Sequence, residues 1–321
     1  MPYSKIIGTG SCLPEKILTN FDLEKIVDTT NEWIVDRTGI HQRHIAGEHE
    51  TALTMAEKAA REAIAVAGIS PADIGMIIIA TTTPENLFPS TACMLQQRLG
   101  IAGCPAFDLN STACAGFMYA LSIADQYIRQ GAIQYALVIG SEVMSRVVDW
   151  NDRTTCILFG DGAGAFLLSA DKEPGILSTH LHADGTYKDV LSLPVNVGKP
   201  MEVEQALYIK MKGNQLFRLA VNILGKLFDE TLAANQLQKS DIDWLVPHQA
   251  NIRIIEAMAK KLALPMERVA LTLNEQGNTS SASIPLALDK AIRDQRIKKG
   301  DMLLLEGFGG GLTWGSALIK Y

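Results

Sequence analysis

LTMAEKAAREAIAVAGISPADIGMIIIA, residues 53–80, contains a complete helix–strand unit. Residues 53–68 read as an amphipathic helix closed by Gly68, and the run Met76–Ala80 reads as a buried strand. The pattern returns in the same order and spacing at 221–248, VNILGKLFDETLAANQLQKSDIDWLVPH, where a helix over 221–234 leads to the strand run Trp244–Pro247 and then His248. Short apolar runs alternating with helix-period segments define an α/β protein.

Two further echoes lie outside this pair. IRQGAIQYALVIGSE at 128–142 and DQRIKKGDMLLLEGF at 294–308 each end a helix and enter a strand. The glycine-rich stretches FGDGAGAFLLSA at 159–170 and FGGGLTWGSALI at 308–319 read as matching hairpins with tight turns. Three echoes in one order predict two copies of an α/β unit, residues 1–172 and 173–321, joined near Asp171–Gly175. The competing reading is that any α/β chain repeats its elements.

The chain has 321 residues, 47% of them hydrophobic, enough for a large core and incompatible with a disordered or fibrous protein. A formal charge of -6 gives no general attraction to nucleic acid or anionic lipid, so an acidic partner needs a local basic patch. No stretch has the length and apolarity of a signal peptide or membrane span. Five cysteines without a CxxC pair argue against a disulfide framework or zinc knuckle, and a reducing cytoplasm is the expected compartment.

Cys114, in DLNSTACAGF, precedes a segment whose apolar residues Phe117, Leu121, Ala124 and Ile128 recur at helical spacing. A cysteine at a helix N-terminus is expected to favour thiolate, while the small neighbours Ala113, Ala115 and Gly116 leave room for a substrate carbonyl. The alternative is an ordinary core cysteine, the default for Cys12, Cys93, Cys104 and Cys156. His248 stands where a strand turns into a helix, a common place for catalytic groups in α/β proteins. Asn278, in a polar turn, reads alone as a turn or cap residue, but the duplication places it close to the position Cys114 holds in the first half. His41, His44 and His49 look like surface residues, and the His180/His182 pair has no companion ligands in sequence, so no metal is expected. Neither GDGAG at 160–164 nor GFGGGLTWG at 307–315 has the context of a nucleotide-binding loop.

EWIVDRTGI at 32–40, ACAGF at 113–117, FGDGAGA at 159–165, PHQAN at 247–251, GNTSSAS at 277–283 and FGGGLTWGSAL at 308–318 together resemble the β-ketoacyl-acyl-carrier-protein synthase III family of the thiolase superfamily. The resemblance covers essentially the whole chain. It implies a thiolase fold, two duplicated α/β halves in a layered αβαβα core, and a homodimer. It also implies an acyltransferase that condenses a short acyl-CoA with malonyl-acyl carrier protein and needs no cofactor, acyl-CoA being a substrate.

Carried over by motif, the resemblance makes Cys114 the acylated nucleophile and His248 with Asn278 the pair promoting decarboxylation. The N–H groups of Cys114 and Gly310 become the oxyanion hole. Trp33, Arg37 and Arg153 become a clamp for the adenine of coenzyme A, and Gly213, Phe217 and Asn251 positions along the pantetheine tunnel. Phe88 becomes a residue that one subunit inserts into its neighbour's acyl pocket, and Arg218, Arg253, Lys260 and Lys261 a docking patch for an acidic carrier protein. A starter-unit enzyme of a secondary-metabolite pathway is the near alternative. A noncatalytic partner subunit and a cysteine hydrolase are more distant ones.

Overall fold

The computed structural model describes residues 2–195 and 208–321. The first sheet is built from β1 (Tyr3–Cys12), β2 (Met76–Ala80), β3 (Ala106–Leu109), β4 (Tyr135–Val143) and β5 (Asp161–Asp171), in the order β1-β5-β4-β2-β3. The second comprises β6 (Ile176–Ala183), β7 (Trp244–Pro247), β8 (Met302–Gly309) and β9 (Thr313–Lys320), in the order β7-β8-β9-β6. The senses match: β4 runs parallel to β2 and antiparallel to β5, as β8 does to β7 and β9. A counterpart of β3 is reduced to a single parallel bridge between Leu245 and Val269. The strands of the first sheet end at Asp171 and those of the second begin at Ile176.

Three apolar cores alternate with the sheets. Ile77, Ile79, Leu137 and Ile139 face an outer layer containing α1 (Ala52–Ala67) and α2 (Thr91–Arg98). Ile78, Val138, Val246 and Leu305 meet α3 (Gly116–Arg129) and, further along the chain, the helix Ser283–Arg293, between the two sheets. Leu245 and Leu304 face α4 (Gly213–Asn235) and α5 (Ile252–Leu262) on the far side; the helix at Ser283–Arg293 is α6. The architecture is therefore αβαβα. Helices cover both faces of β2, which explains why MIIIA is a continuous apolar run rather than an alternating one. Among the described residues, no helix is long and apolar enough to cross a membrane.

Local chemistry sets the helix ends. Thr51 caps α1 by accepting from the Thr54 N–H, and Gly68, at φ 68°, ends it in the left-handed region. α4 begins at Gly213, a full two turns before the residues whose spacing announced it. FGDGAGA is not a hairpin: 161–171 is one strand, joined to β4 through the long connection at 144–160. In the second half the hairpin is real, with Gly310–Leu312 between β8 and β9.

The two halves come into close backbone contact where β4 meets the segment before α6. A Cβ at Gly140 would lie 2.3 Å from the Ser281 carbonyl oxygen, backbone that cannot swing aside. Gly140→Ala should destabilise the fold by about 2 kcal/mol or more in urea unfolding, whereas Gly185→Ala, with nothing within 4 Å, should stay within about 0.5 kcal/mol. Equal stabilities would refute this account of the contact.

Candidate active site

Cys114 sits in a 3-10 turn, Ala113–Ala115, immediately before α3. Ser280 sits in the corresponding turn, Ser280–Ala282, before α6. Each turn opens on a non-glycine residue with positive φ, 44° at Ala113 and 51° at Ser280, a sparsely populated conformation held by surrounding contacts. This pseudo-symmetry places Ser281 opposite Cys114, with Asn278 three residues earlier, and so sharpens the match read from sequence.

The segment Asn278–Ser283 joins the three chemical residues. Its Ser280–Ala282 turn packs against the turn that carries Cys114, and its Ser283 Oγ lies 2.7 Å from His248 Nδ1. His248 follows β7 directly and is fixed by its N–H donating to the Glu306 carbonyl at 2.8 Å. Cys114, His248 and Asn278 are 5%, 7% and 6% exposed, so the site is nearly closed to water.

Donor directions at His248 follow from Ser283. The Ser283 oxygen accepts from the Gln249 N–H at 3.3 Å and lies 2.7 Å from Nδ1, and we assign its own hydrogen to Nδ1. With Nδ1 an acceptor, the neutral imidazole carries its hydrogen on Nε2. Burial lowers the His248 pKa to about 3, so the ring stays neutral at physiological pH. At Asn278, Oδ1 accepts from the Ser280 N–H at 2.8 Å, which leaves the amide hydrogens on Nδ2 as donors. The site thus offers two neutral N–H donors, each oriented by a serine of one short segment.

Cys114 departs from the sequence expectation. Burial pushes its thiol up to about 12, and the nearby Glu142 carboxyl adds to the rise; the Ser280 hydroxyl and the cysteine's own N–H oppose it. The helix terminus does not overcome the cost of placing a thiolate in a dry cavity. Cys114 rests as a thiol.

Residues that the sequence reading missed hold this centre together. Glu142, fully buried on β4, accepts from the Thr82 N–H and hydroxyl and the Thr83 hydroxyl on one oxygen, and from the Ser280 and Ser281 hydroxyls on the other, at 2.8–3.1 Å. Gly309 presses the glycine hairpin against Cys114: a Cβ there would lie 2.8 Å from the Cys114 nitrogen. Thr313 Oγ1 donates toward the Thr112 and Gly310 carbonyls, both at 3.0 Å. The N–H groups of Cys114 and Gly310 have no acceptor among the turn and loop backbone hydrogen bonds of the described residues.

The expected coenzyme A residues form two groups. The Arg37 and Arg153 guanidiniums lie 5.8 and 5.2 Å from the Trp33 ring centroid, so these three are one cluster. Asn251 is tied to them, since its Nδ2 donates to the Arg37 carbonyl at 2.9 Å while its Oδ1 caps α5. Gly213 and Phe217 lie one turn apart at the start of α4, both exposed. In the basic patch, Arg253 is paired with Asp36 and Lys261 with Asp229, at 3.1 and 2.6 Å, so half its charges are locally balanced. Arg218 and Lys260 are in none of the ion pairs of the described residues. Phe88 is 86% exposed and Leu87 64%.

Histidines also differ from expectation. His44 is half-buried, with Nδ1 2.6 Å from the Pro14 carbonyl, and its neighbour Arg43 is wholly buried. His180 and His182 do have a companion, both lying 3.1 Å from Glu230 Oε1. Among the described residues, no group of three or more His, Cys, Asp or Glu is arranged to hold a metal ion.

Two family models match, 3-oxoacyl-[acyl-carrier-protein] synthase III over residues 107–185 and its C-terminal counterpart over 232–321. A β-ketoacyl-[acyl-carrier-protein] synthase III of Thioalkalivibrio sulfidiphilus is 59% identical over 323 residues, spanning 100% of both chains. The chain belongs to the 3-oxoacyl-[acyl-carrier-protein] synthase III family. A solved synthase III from Aquifex aeolicus superposes with a TM-score of 0.94 at 47% identity, covering 99% of this chain and 100% of that one. The priming β-ketosynthase of the R1128 polyketide pathway gives 0.93 at 36% identity, covering 99% and 96%. Synthase III relatives of this similarity share the five-layer thiolase fold seen here.

The state of Cys114 is open to direct test. In the free enzyme, iodoacetamide alkylation of Cys114 should accelerate about tenfold per pH unit from pH 7 to 9 without levelling, because the folded thiol loses its proton only near 12. A plateau below pH 8 would show a preformed thiolate.

Proposed function

We propose that this chain is a β-ketoacyl-[acyl-carrier-protein] synthase III, condensing a short acyl-CoA with malonyl-[acyl-carrier protein] to initiate fatty acid synthesis. The observation that carries the reading is the pair of serine-oriented N–H donors, His248 Nε2 and Asn278 Nδ2, joined by one segment to a buried cysteine.

In the first half-reaction the Cys114 sulfur attacks the acyl-CoA carbonyl, and the N–H groups of Cys114 and Gly310 stabilise the oxyanion. The thioester exchanges, and the thiol proton leaves with the coenzyme A sulfur, so no separate thiolate has to persist in the dry site. Trp33, Arg37 and Arg153 are suited to a flat base and its phosphates, with Gly213, Phe217 and Asn251 along the pantetheine arm. In the second half-reaction, decarboxylation moves charge onto the malonyl thioester oxygen. Two neutral N–H donors stabilise that enolate without protonating it, which an imidazolium would do. The enolate carbon then attacks the acyl group on Cys114.

The same reading includes a homodimer, a cytoplasmic location and docking of the carrier protein beside Arg218, Arg253, Lys260 and Lys261. The exposed Leu87 and Phe88 favour a neighbouring subunit that covers them, with Phe88 reaching its acyl pocket. The absence of disulfides among five free cysteines favours a reducing compartment. A starter-unit role is favoured only by the R1128 likeness, at 36% identity against 59% for the synthase III relative.

Incubation with acetyl-CoA should add one acetyl group by intact mass, and Cys114→Ala should abolish the adduct. Asn278→Ala should keep acylation but lower malonyl-dependent carbon dioxide release about 10²-fold or more. Unimpaired release in that variant would overturn the assigned roles.

A further inference from the structure

Beside His248, on the side of α4 and α5, lie two adjoining cavities. The inner one, about 20 Å³, is lined by His248, Phe308 and Glu306. The outer one, about 110 Å³, lies between α4 and α5, with walls of Val221, Leu224, Phe228 and Met258. Leu224, Met258 and Glu306 line both, so the carboxyl is the junction between them. Lys261 borders the outer cavity, its side chain 36% exposed and paired with Asp229.

Glu306 is 1% exposed, and its Oε1 has no hydrogen-bond partner. A lone buried carboxyl in an apolar wall is costly unless it has work there. The charged groups facing it are Lys261 and Asp229, from α5 and α4, which act in opposite directions; the neutral His248 faces it from the end of β7. Burial dominates, raising the Glu306 pKa well above the ordinary carboxylate value, which favours its protonated form.

The condensing half-reaction needs such a proton. Loss of carbon dioxide leaves an electron pair that forms the new carbon–carbon bond, while the carbon–sulfur bond to Cys114 breaks and the sulfur leaves with its pair. Starting from an ionised malonyl carboxylate, the products are the β-ketoacyl thioester, carbon dioxide and a cysteine thiolate. One proton must reach that sulfur to restore the resting thiol, and the site is closed.

We propose that Glu306 relays this proton to the Cys114 side of the site through the inner cavity, and is recharged from solvent through the outer one. The volumes are sufficient for such a path, since one water fits the inner space and several the outer, with Glu306, His248 and Lys261 as polar partners. The malonyl carboxylate supplies the electron pair and solvent the proton, so no further reactant is required. The proposal rests on the condensation reading.

The test separates thiol regeneration from the two half-reactions in Glu306→Gln, which keeps size and removes the titratable proton. Regeneration of the Cys114 thiol, read as steady-state condensation over many turnovers, should slow at least about tenfold at pH 8.5, less at pH 6, with single-turnover carbon dioxide release from pre-acylated enzyme and acylation of the resting thiol much less affected. Glu306→Asp should recover part of the rate, and Val221→Phe, which narrows the outer cavity, should slow condensation in the same selective way. Wild-type condensation rates in Glu306→Gln at every pH would overturn the relay. So would a parallel loss of both half-reactions, or failure of Asp to recover rate. A wild-type enzyme that acylates but releases no carbon dioxide would instead overturn the condensation reading.

Discussion

The active centre depends on the Glu142 carboxyl at the end of β4. It is buried, and its two oxygens accept five hydrogen bonds that bind a loop of the first half, Thr82–Thr83, to a turn of the second, Ser280–Ser281. A carboxyl in this position is tolerated only because its lone pairs are satisfied. Its partners then inherit fixed geometry. Ser280 orients Asn278 through its N–H, and its turn packs against the turn of Cys114; Ser283, three residues on, meets His248. One polar contact between the halves thus determines three chemical positions.

The same closure explains why Cys114 rests as a thiol. A helix start favours thiolate by an amount that matters at a surface, yet here Cys114 is almost wholly buried beside a carboxyl. Desolvation wins. The benefit lies in the other half-reaction: a dry site strengthens hydrogen bonds to a developing enolate and keeps water from the acyl-enzyme. His248 is subject to the same burial, which holds it neutral and makes it a donor rather than an acid.

Much of this was legible in sequence because it is local. MIIIA and WLVP are apolar without alternation since both faces are covered, and the repeated helix–strand order gave the two sheets their matching senses. Cys114, His248 and Asn278 stand where strands or turns pass into helices, so position alone made them candidates. Glu142, Ser283 and Glu306 carry no such mark. Their partners lie far away in the chain, as with Glu142 and Ser281, 139 residues apart, and no period of 2 or 3.6 records that contact. The titration of Cys114 is hidden for the same reason: helix-terminal placement is local, but burial is tertiary. Residues 196–207 lie outside the described segments, and none of the sequence assignments falls on them.

The central claim is that His248 is a neutral hydrogen-bond donor through Nε2, with Ser283 fixing the tautomer. Nitrogen-15 NMR of histidine-labelled enzyme, with the resonance assigned by His248→Ala, measures this directly. The account predicts an Nε2–H imidazole whose shifts are unchanged from pH 5 to 8, consistent with a pKa near 3. Titration near pH 6.5, or an Nδ1–H tautomer, would contradict it.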